Sequence, residues 1–93
     1  MFVVIFRARV ASLDDEYFRT AERLKELAFQ EYGCQDFFSV TEGDQEVSIS
    51  YWDTLQQIRD WKECPEHVTA REKGRQQWYQ SFSVEVCEVV RKA

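Results

Sequence analysis

The first extended segment of the chain, Phe2–Val10, limits the possible folds more than any other feature of the sequence. Its β-branched and aromatic residues favour a strand. Every even-numbered position is apolar, whereas the odd-numbered positions begin with Val3 and Ile5 and end with Arg7 and Arg9. Because alternate residues of a strand point to opposite faces of the sheet, one face is buried throughout and the other only at its start. We therefore expect a central strand with one end open to a pocket or to solvent.

The rest of the chain alternates between helical and extended periodicities. The predicted elements are a helix over 13–32 starting at Ser12, strands over 36–42 and 46–52 around a tight turn, a short helix capped by Asp53 or Thr54, a helical piece over 65–79, and a strand over 82–90. In the third strand, Val47, Ile49 and Tyr51 alternate with Ser48 and Ser50, which predicts a half-buried strand of a hairpin. The order β-α-β-β-α-β predicts a single α+β domain over residues 1–93, of the ferredoxin-like type.

Composition excludes several classes of function. The chain has 12 Lys and Arg against 17 Asp and Glu, and this net charge of -5 argues against binding to nucleic acid or to an anionic membrane. No apolar run approaches the roughly 20 residues of a membrane span, and the N-terminus does not resemble a signal peptide, so we expect a cytoplasmic protein. Cys34, Cys64 and Cys87 have neither disulfide nor zinc-site spacing and are expected to be buried or half-buried thiols.

Aromatic residues make up 15% of the chain, which is a high share for so small a domain. A domain of this size buries only about 60–70% of the surface of its unfolded chain. Some of the aromatic surface should therefore face a ligand or a partner subunit.

The last predicted helix places two arginines on the side that should be buried. At about 100° per residue, Arg71 and Arg75 lie on the same side as Val68, Trp78 and Tyr79. The residues predicted to face solvent are Thr69, Lys73 and Gln77. Burying an unpaired charge is costly, so this side must meet a carboxylate, a water-filled cleft or an anionic ligand.

Two interpretations of these arginines remain open. In the first, their stems lie on the aromatic rings and their charged ends stay in water, where either can pair with Glu72. In the second, they supply positive charge to a cleft walled by Trp61, Trp78 and Tyr79. Such a cleft suits a planar aromatic substrate that carries phenolate or quinone oxygens.

His67 is the only histidine, and it could serve as a base, a haem ligand or a surface residue. Its angle on the helix places it at the edge of the pocket, which favours a capping or surface role. The sequence has no dinucleotide-binding glycine motif, no phosphate-binding loop and no metal-ligand cluster. Any chemistry must then use the substrate's own reactivity or a cofactor bound without a sequence motif.

Four segments together resemble the antibiotic biosynthesis monooxygenase (ABM) domain family. They are YWDTL at 51–55, IRDWK at 58–62, PEH at 65–67 and GRQQWY at 74–79. The resemblance spans nearly the whole chain and implies a ferredoxin-like protomer that pairs through its sheet face into a homodimeric α+β barrel. Some members oxidise polycyclic phenols to quinones with O2 and with neither metal nor flavin.

The resemblance also suggests roles for individual residues. Arg71 or Arg75 would stabilise a substrate anion, and Trp61 and Tyr79 would complete the catalytic set by stacking on the rings or hydrogen bonding to them. Further substrate-binding candidates are Trp78, Tyr51, Trp52 and, at the edge, His67. We thus expect a cofactor-independent monooxygenase acting on an aromatic or quinol-type molecule.

Two alternatives follow from the same resemblance. Haem-degrading members carry an Asn on the first strand and a His ten residues after a Trp that corresponds to Trp61. Here the position ten residues later is Arg71, the first strand has no Asn, and His67 has the wrong offset, so haem is disfavoured. The other alternative is a dimeric protein that binds a small molecule without acting on it.

Overall fold

Four antiparallel strands and three helices make up the structure, a computed structural model that describes residues 1–93. The elements are β1 (Phe2–Val10), α1 (Asp15–Glu31), β2 (Asp36–Glu42), β3 (Gln45–Trp52), α2 (Leu55–Glu63), α3 (Pro65–Lys73), a π-helical turn (Gly74–Trp78) and β4 (Tyr79–Glu88). The strands form one sheet in the order β2-β3-β1-β4. The predicted α+β, ferredoxin-like order is confirmed, and β1 is a central strand, paired with β3 and β4. No helix combines the length and the apolar character that crossing a bilayer requires.

Local signals in the sequence set the ends of α1. The helix begins two residues later than expected, because Asp14 rather than Ser12 is the cap: its Oδ1 accepts the backbone N–H of Tyr17 at 2.8 Å. Beyond the C-terminal end, Gly33 has a φ of 83°, a conformation that residues with a Cβ rarely adopt.

The hydrophobic core lies under one end of the sheet. Its six buried members are Val4, Ala28, Cys34, Trp52, Ile58 and Trp61. Trp52 is fully buried, and it lies opposite Phe2 in the register between β3 and β1. All three cysteines are free, with Cys34 and Cys64 buried and Cys87 half-buried, as the sequence predicts.

The pairing of β3 with β1 decides which side of β3 faces the helices. Glu46 lies opposite Ala8 and Ser50 opposite Val4, so the polar side of β3 is turned towards the helices. Because successive side chains alternate between faces, the apolar side of β3 is turned away from them. The sheet therefore has an open apolar face, which includes Val3, Ile5, Phe38, Val40, Val47, Ile49 and Tyr51.

The segment between α3 and β4 differs from the prediction of one continuous helix. The α-helix ends at Lys73, and a π-helical turn follows, in which the N–H of Tyr79 bonds to the carbonyl of Gly74. This change of period buries Trp78, whereas Val68 is 41% exposed. Lys73, predicted to face solvent, instead pairs with Glu16 of α1 at 2.9 Å.

Candidate active site between the sheet and the helices

A cavity of about 640 Å³ lies between the sheet and the helices α1 and α3. Its volume is in the usual range for small-molecule sites. The β2–β3 half of its floor is mainly polar and consists of Ser39, Thr41, Glu46, Ser48 and Ser50, together with the aromatic Phe37. The β1–β4 half is apolar and consists of Val4, Phe6, Phe82 and Val84. A smaller hollow of about 400 Å³ between α1 and α3 is lined mainly by polar and charged residues, with Trp78 its one aromatic side chain.

Glu46 is the centre of a hydrogen-bonded group at one end of this cavity. The residue is 3% exposed, and each carboxylate oxygen accepts a tyrosine hydroxyl. Tyr17 of α1 donates to Oε1, and Tyr79 of β4 donates to Oε2 at 3.0 Å. Burial, and then the neighbouring carboxylate of Glu46, raises the pKa of both tyrosines far above the usual value of 10. Both hydroxyls therefore keep their protons and act as donors.

The sequence analysis did not identify two members of this group. It placed Tyr17 inside the predicted helix over 13–32 and Glu46 at the start of the predicted strand over 46–52, and gave neither a role in a site. The sequence does contain a pattern that identifies Glu46. It occupies alternate positions of β3 with Ser48, Ser50 and the core residue Trp52, so all four lie on one face of the strand. An acid in phase with a buried tryptophan must also face inward.

Arg71 and Arg75 both line the cavity, but they differ in environment. Arg71 is half-buried, and its Nη2 donates to the carbonyl oxygen of Lys62 at 2.7 Å. Arg75 is exposed, with its guanidinium 5.8 Å from the centre of the Phe82 ring and 3.5 Å from a carboxylate oxygen of Glu72. Arg75 thus combines both interpretations of the sequence, since it stacks on an aromatic ring with its charge in water and also borders a cavity.

His67 lies in the cavity wall and does not cap a helix. Its ring packs edge-on against Trp61, with 4.3 Å between ring centres, and its Nδ1 is buried without a hydrogen-bond partner. Burial lowers the pKa of His67 to about 4, with help from the positive charges of Arg71 and Lys62. The imidazole is therefore neutral at physiological pH, and the expected capping or surface role is wrong.

The two cavity tryptophans have their indole N–H groups bonded to the protein. Trp61 donates to the carbonyl oxygen of Leu24 at 3.1 Å, and Trp78 donates to Oδ1 of Asp14 at 3.1 Å. Trp78 also meets the ring of Tyr17 edge-on, with 5.4 Å between ring centres. These bonds fix the orientation of both indoles, so that they offer the cavity ring surface instead of a free donor.

Two of the predicted substrate-binding residues lie elsewhere in the structure. Trp52 belongs to the core, where its indole donates to Oγ of Ser50 at 2.8 Å, and it does not line the cavity. Tyr51 lies on the open face of the sheet, near Lys92. The other six predicted site residues line the cavity: Trp61, His67, Arg71, Arg75, Trp78 and Tyr79.

This arrangement can hold a flat molecule and stabilise negative charge on it. The walls supply aromatic surface, Arg71 and Arg75 supply positive charge, and the Glu46 group supplies a carboxylate with two attached hydroxyls. No three His, Cys, Asp or Glu side chains come together as metal ligands do.

Comparison with known proteins gives both a relative and a fold. No protein-family model matches the chain. The chain is 39% identical over 92 residues to YqjZ, an uncharacterised protein of Bacillus subtilis strain 168, and the match covers 98% of this chain and 81% of that protein.

Solved structures share the fold at low sequence identity. SnoaB, a cofactor-independent oxygenase from Streptomyces nogalater, matches with a TM-score of 0.80 and 14% identity over 98% of this chain and 94% of its own. Rv0793 of Mycobacterium tuberculosis matches with a TM-score of 0.82 and 15% identity, over 99% and 97% of the two chains. An antibiotic biosynthesis monooxygenase matches with a TM-score of 0.81 and 16% identity, over 98% and 100%. The chain therefore belongs to the same family as YqjZ, and its fold is that of the antibiotic biosynthesis monooxygenase proteins.

Proposed function

We propose that this protein is a monooxygenase that oxidises an aromatic, quinol-type small molecule with O2 and without a cofactor of its own. The observation that carries the proposal is the cavity of about 640 Å³, in which aromatic walls, two arginines and a tyrosine hydroxyl face the same space. The SnoaB protein, which has this fold, is described as a cofactor-independent oxygenase. That description supports the reaction class proposed for this chain.

The chemistry relies on the substrate. An electron-rich phenolate or carbanion transfers one electron to O2, and the resulting radical and superoxide combine to form a peroxide. For a ring CH2 group, loss of water from this peroxide leaves a carbonyl, so that CH2 and O2 give C=O and H2O. The protein binds and orients the rings through Trp61 and Trp78 and stabilises the anion through Arg71 and Arg75.

We also propose that the protein is a homodimer that pairs through the open face of its sheet. Phe38 is 44% exposed and Val40 is 59% exposed, and the half-buried Val3, Ile5 and Ile49 extend the same apolar surface. A second copy of the chain would cover this surface with an identical one, which is how two-fold symmetric interfaces form. Contiguous apolar surface of this kind is typical of interaction sites.

Oxygen uptake with a panel of hydroquinones and anthrones tests the proposed activity. An Arg75→Ala variant should lower the uptake rate about tenfold or more, since hydrogen bonds to charged groups contribute roughly 1.5–3 kcal/mol. The matched control is Arg59→Ala, because Arg59 is exposed on α2 and does not line the cavity. The proposal is wrong if the whole panel is inert, or if both variants consume oxygen at the wild-type rate.

One observation favours non-catalytic binding as a second candidate. Both cavity indoles have bonded N–H groups, and the Nη2 of Arg71 is held by the Lys62 carbonyl, so few free donors face the space. Tight binding of the same compounds without oxygen uptake would identify this second function.

A further inference from the structure

We propose that Glu46 accepts the substrate proton in this reaction, through the hydroxyl of Tyr79. The inference rests on the proposed function and deepens it by naming the proton acceptor. Tyr79 borders the cavity and its hydroxyl bonds to Oε2 of Glu46, so a proton received by Tyr79 is one hydrogen bond from a carboxylate.

Glu46 differs from the other acidic residues in being buried, and its only partners are neutral. No Lys or Arg nitrogen lies within 4 Å of its carboxylate, whereas Glu16, Asp44 and Glu72 each pair with a cation. A buried carboxylate without a cation is costly, and hydrogen bonds from two neutral hydroxyls offset only part of that cost. The charge itself therefore needs a reason, and removing a proton from the substrate supplies one.

The proton transfer can be written with every atom accounted for. The hydroxyl of a phenol, or of the enol form of an anthrone, in which one CH2 proton has moved to the carbonyl oxygen, donates its proton to Oη of Tyr79 as the proton of Tyr79 passes to Oε2 of Glu46. One O–H bond of the substrate breaks, one O–H bond on Glu46 forms, and the negative charge moves from the carboxylate to the substrate. Tyr17 stays bonded to Oε1 and keeps the carboxylate in place. The substrate anion then holds the electrons that it gives to O2.

The anion produced at Tyr79 would lie near positive charge. The rings of Tyr79 and Phe82 are 6.1 Å apart between centres, and the guanidinium of Arg75 lies over Phe82. Arg75 thus borders the same part of the cavity as Phe82 and Tyr79, which agrees with the role proposed for that residue.

His67 is the other base in the cavity wall, and its geometry is less favourable. Its Nδ1 is buried and cannot contact a substrate without a change in structure, which leaves Nε2 as the only ring nitrogen that could act. The ring of His67 lies beside Trp61, and Trp61 packs against Trp52, the last residue of β3. Glu46 is at the other end of this strand, where residues 46 and 50 alone are about 13 Å apart. The two candidates therefore act at opposite ends of the cavity and can be separated by mutation.

The test uses 1,8-dihydroxyanthrone as the probe and begins without oxygen. Binding to the wild-type protein should produce the long-wavelength absorption of the ionised probe. Glu46→Gln keeps the shape of the side chain but replaces one acceptor oxygen with an NH2 donor, so one of the two tyrosine hydroxyls must turn to accept; the variant should still bind the probe with a Kd within about threefold of wild type. Its ionised fraction should fall about tenfold or more at pH 7, and its oxygen uptake about 100-fold, the range of general-base contributions.

Raising the pH should restore the activity of Glu46→Gln, because the probe then ionises in solution, and a purely structural role of Glu46 would not predict this recovery. Tyr79→Phe is the second variant, since it removes the relay hydroxyl and leaves the carboxylate bonded to Tyr17; it should lose ionisation to the same degree. Glu63→Gln, an exposed acid at the end of α2, is the control.

The outcomes separate the two proposals. Full ionisation of the probe in Glu46→Gln, or loss of ionisation in His67→Phe with retention in Glu46→Gln, would overturn the role of Glu46. Oxygen uptake that persists in Glu46→Gln at the wild-type rate leaves the monooxygenase in place and removes Glu46 as its base. Ionisation that depends on Glu46 without any oxygen uptake supports the proton transfer and contradicts the monooxygenase.

Discussion

The indole N–H of Trp78 donates to Oδ1 of Asp14 at 3.1 Å, and the two residues are 64 positions apart in the chain. The same oxygen accepts the backbone N–H of Tyr17 at 2.8 Å and so caps α1. One carboxylate oxygen therefore fixes both the start of α1 and the end of the π-helical turn. Tyr17 and Trp78 each border the cavity, so this contact also sets the position of two of its walls.

Replacing Asp14 should destabilise the protein through both of these bonds. We expect Asp14→Ala to lower the free energy of unfolding by about 1–3 kcal/mol, from the lost cap and from the unpaired indole of the buried Trp78. Asp14→Asn keeps an oxygen acceptor, so its free energy of unfolding should fall by less than half as much as that of Asp14→Ala. Urea unfolding followed by tryptophan fluorescence measures both changes. Asp15→Ala is the matched control, and an equal loss in that variant would contradict the assigned role of Asp14.

His67 should make the stability of the protein depend on pH. Its pKa is about 4 in the folded protein and 6.5 in the unfolded chain. Between these values the unfolded state binds more protons, so protonation favours unfolding. The stabilising contribution is complete above pH 6.5 and is lost as the pH falls towards 4, by up to about 3 kcal/mol.

A variant without the titrating group isolates this effect. His67→Phe keeps a ring beside Trp61 and removes the protonation site. The difference in the free energy of unfolding between wild type and His67→Phe should decrease as the pH falls from 7 to 4. If this difference in the free energy of unfolding stays constant from pH 7 to pH 4, His67 is not protonated more easily in the unfolded chain.

Arg71 should control the titration of His67 directly. The positive charge of Arg71 is the second cause of the low pKa of His67, after burial. Removing the charge in Arg71→Gln should raise the pKa of His67, but it should stay below 6.5 because the ring is still buried. The chain has one histidine, so a single Cε1 proton signal in an NMR titration reports this pKa. Arg59→Gln serves as the control, and an unchanged pKa in Arg71→Gln would contradict the electrostatic coupling.

The sequence was a good guide to the fold for reasons that are local. Apolar alternation acts over a few residues and gives β1 as predicted, and the glycine after α1 and the proline that begins α3 mark helix ends just as locally. The residues on one side of the last helix were harder to assign. The angular argument assumed 3.6 residues per turn up to position 79, whereas the π-helical turn changes the period from Gly74 onward.

The residues of β3 point in two directions about which face carries the site, because Val47, Ile49 and Tyr51 favour one face as the covered side and Trp52 favours the other. The aliphatic residues of β3 looked like the covered side, and they are the open face of the sheet, because pairing with β1 turns Glu46 and Ser50 towards the helices. Tyr51, a candidate for the pocket on the family resemblance, lies on this open face as well. The meeting of Tyr17, Glu46 and Tyr79 joins three separate elements, and no short-range pattern in the sequence encodes such a contact.

The open face provides the last prediction, on assembly. If a second copy covers it, sedimentation should give a mass near twice 11.1 kDa. Val40→Asp should shift this mass to that of the monomer at micromolar concentration, because a buried carboxylate without a partner is costly at an interface. Val40 is 59% exposed in the single chain, so the substitution should change the fold of the protomer little. Val90→Asp makes the same change at a site that is 94% exposed and off the sheet, and it should leave the mass unchanged. A wild-type protein that sediments as a monomer at micromolar concentration would contradict pairing through this face.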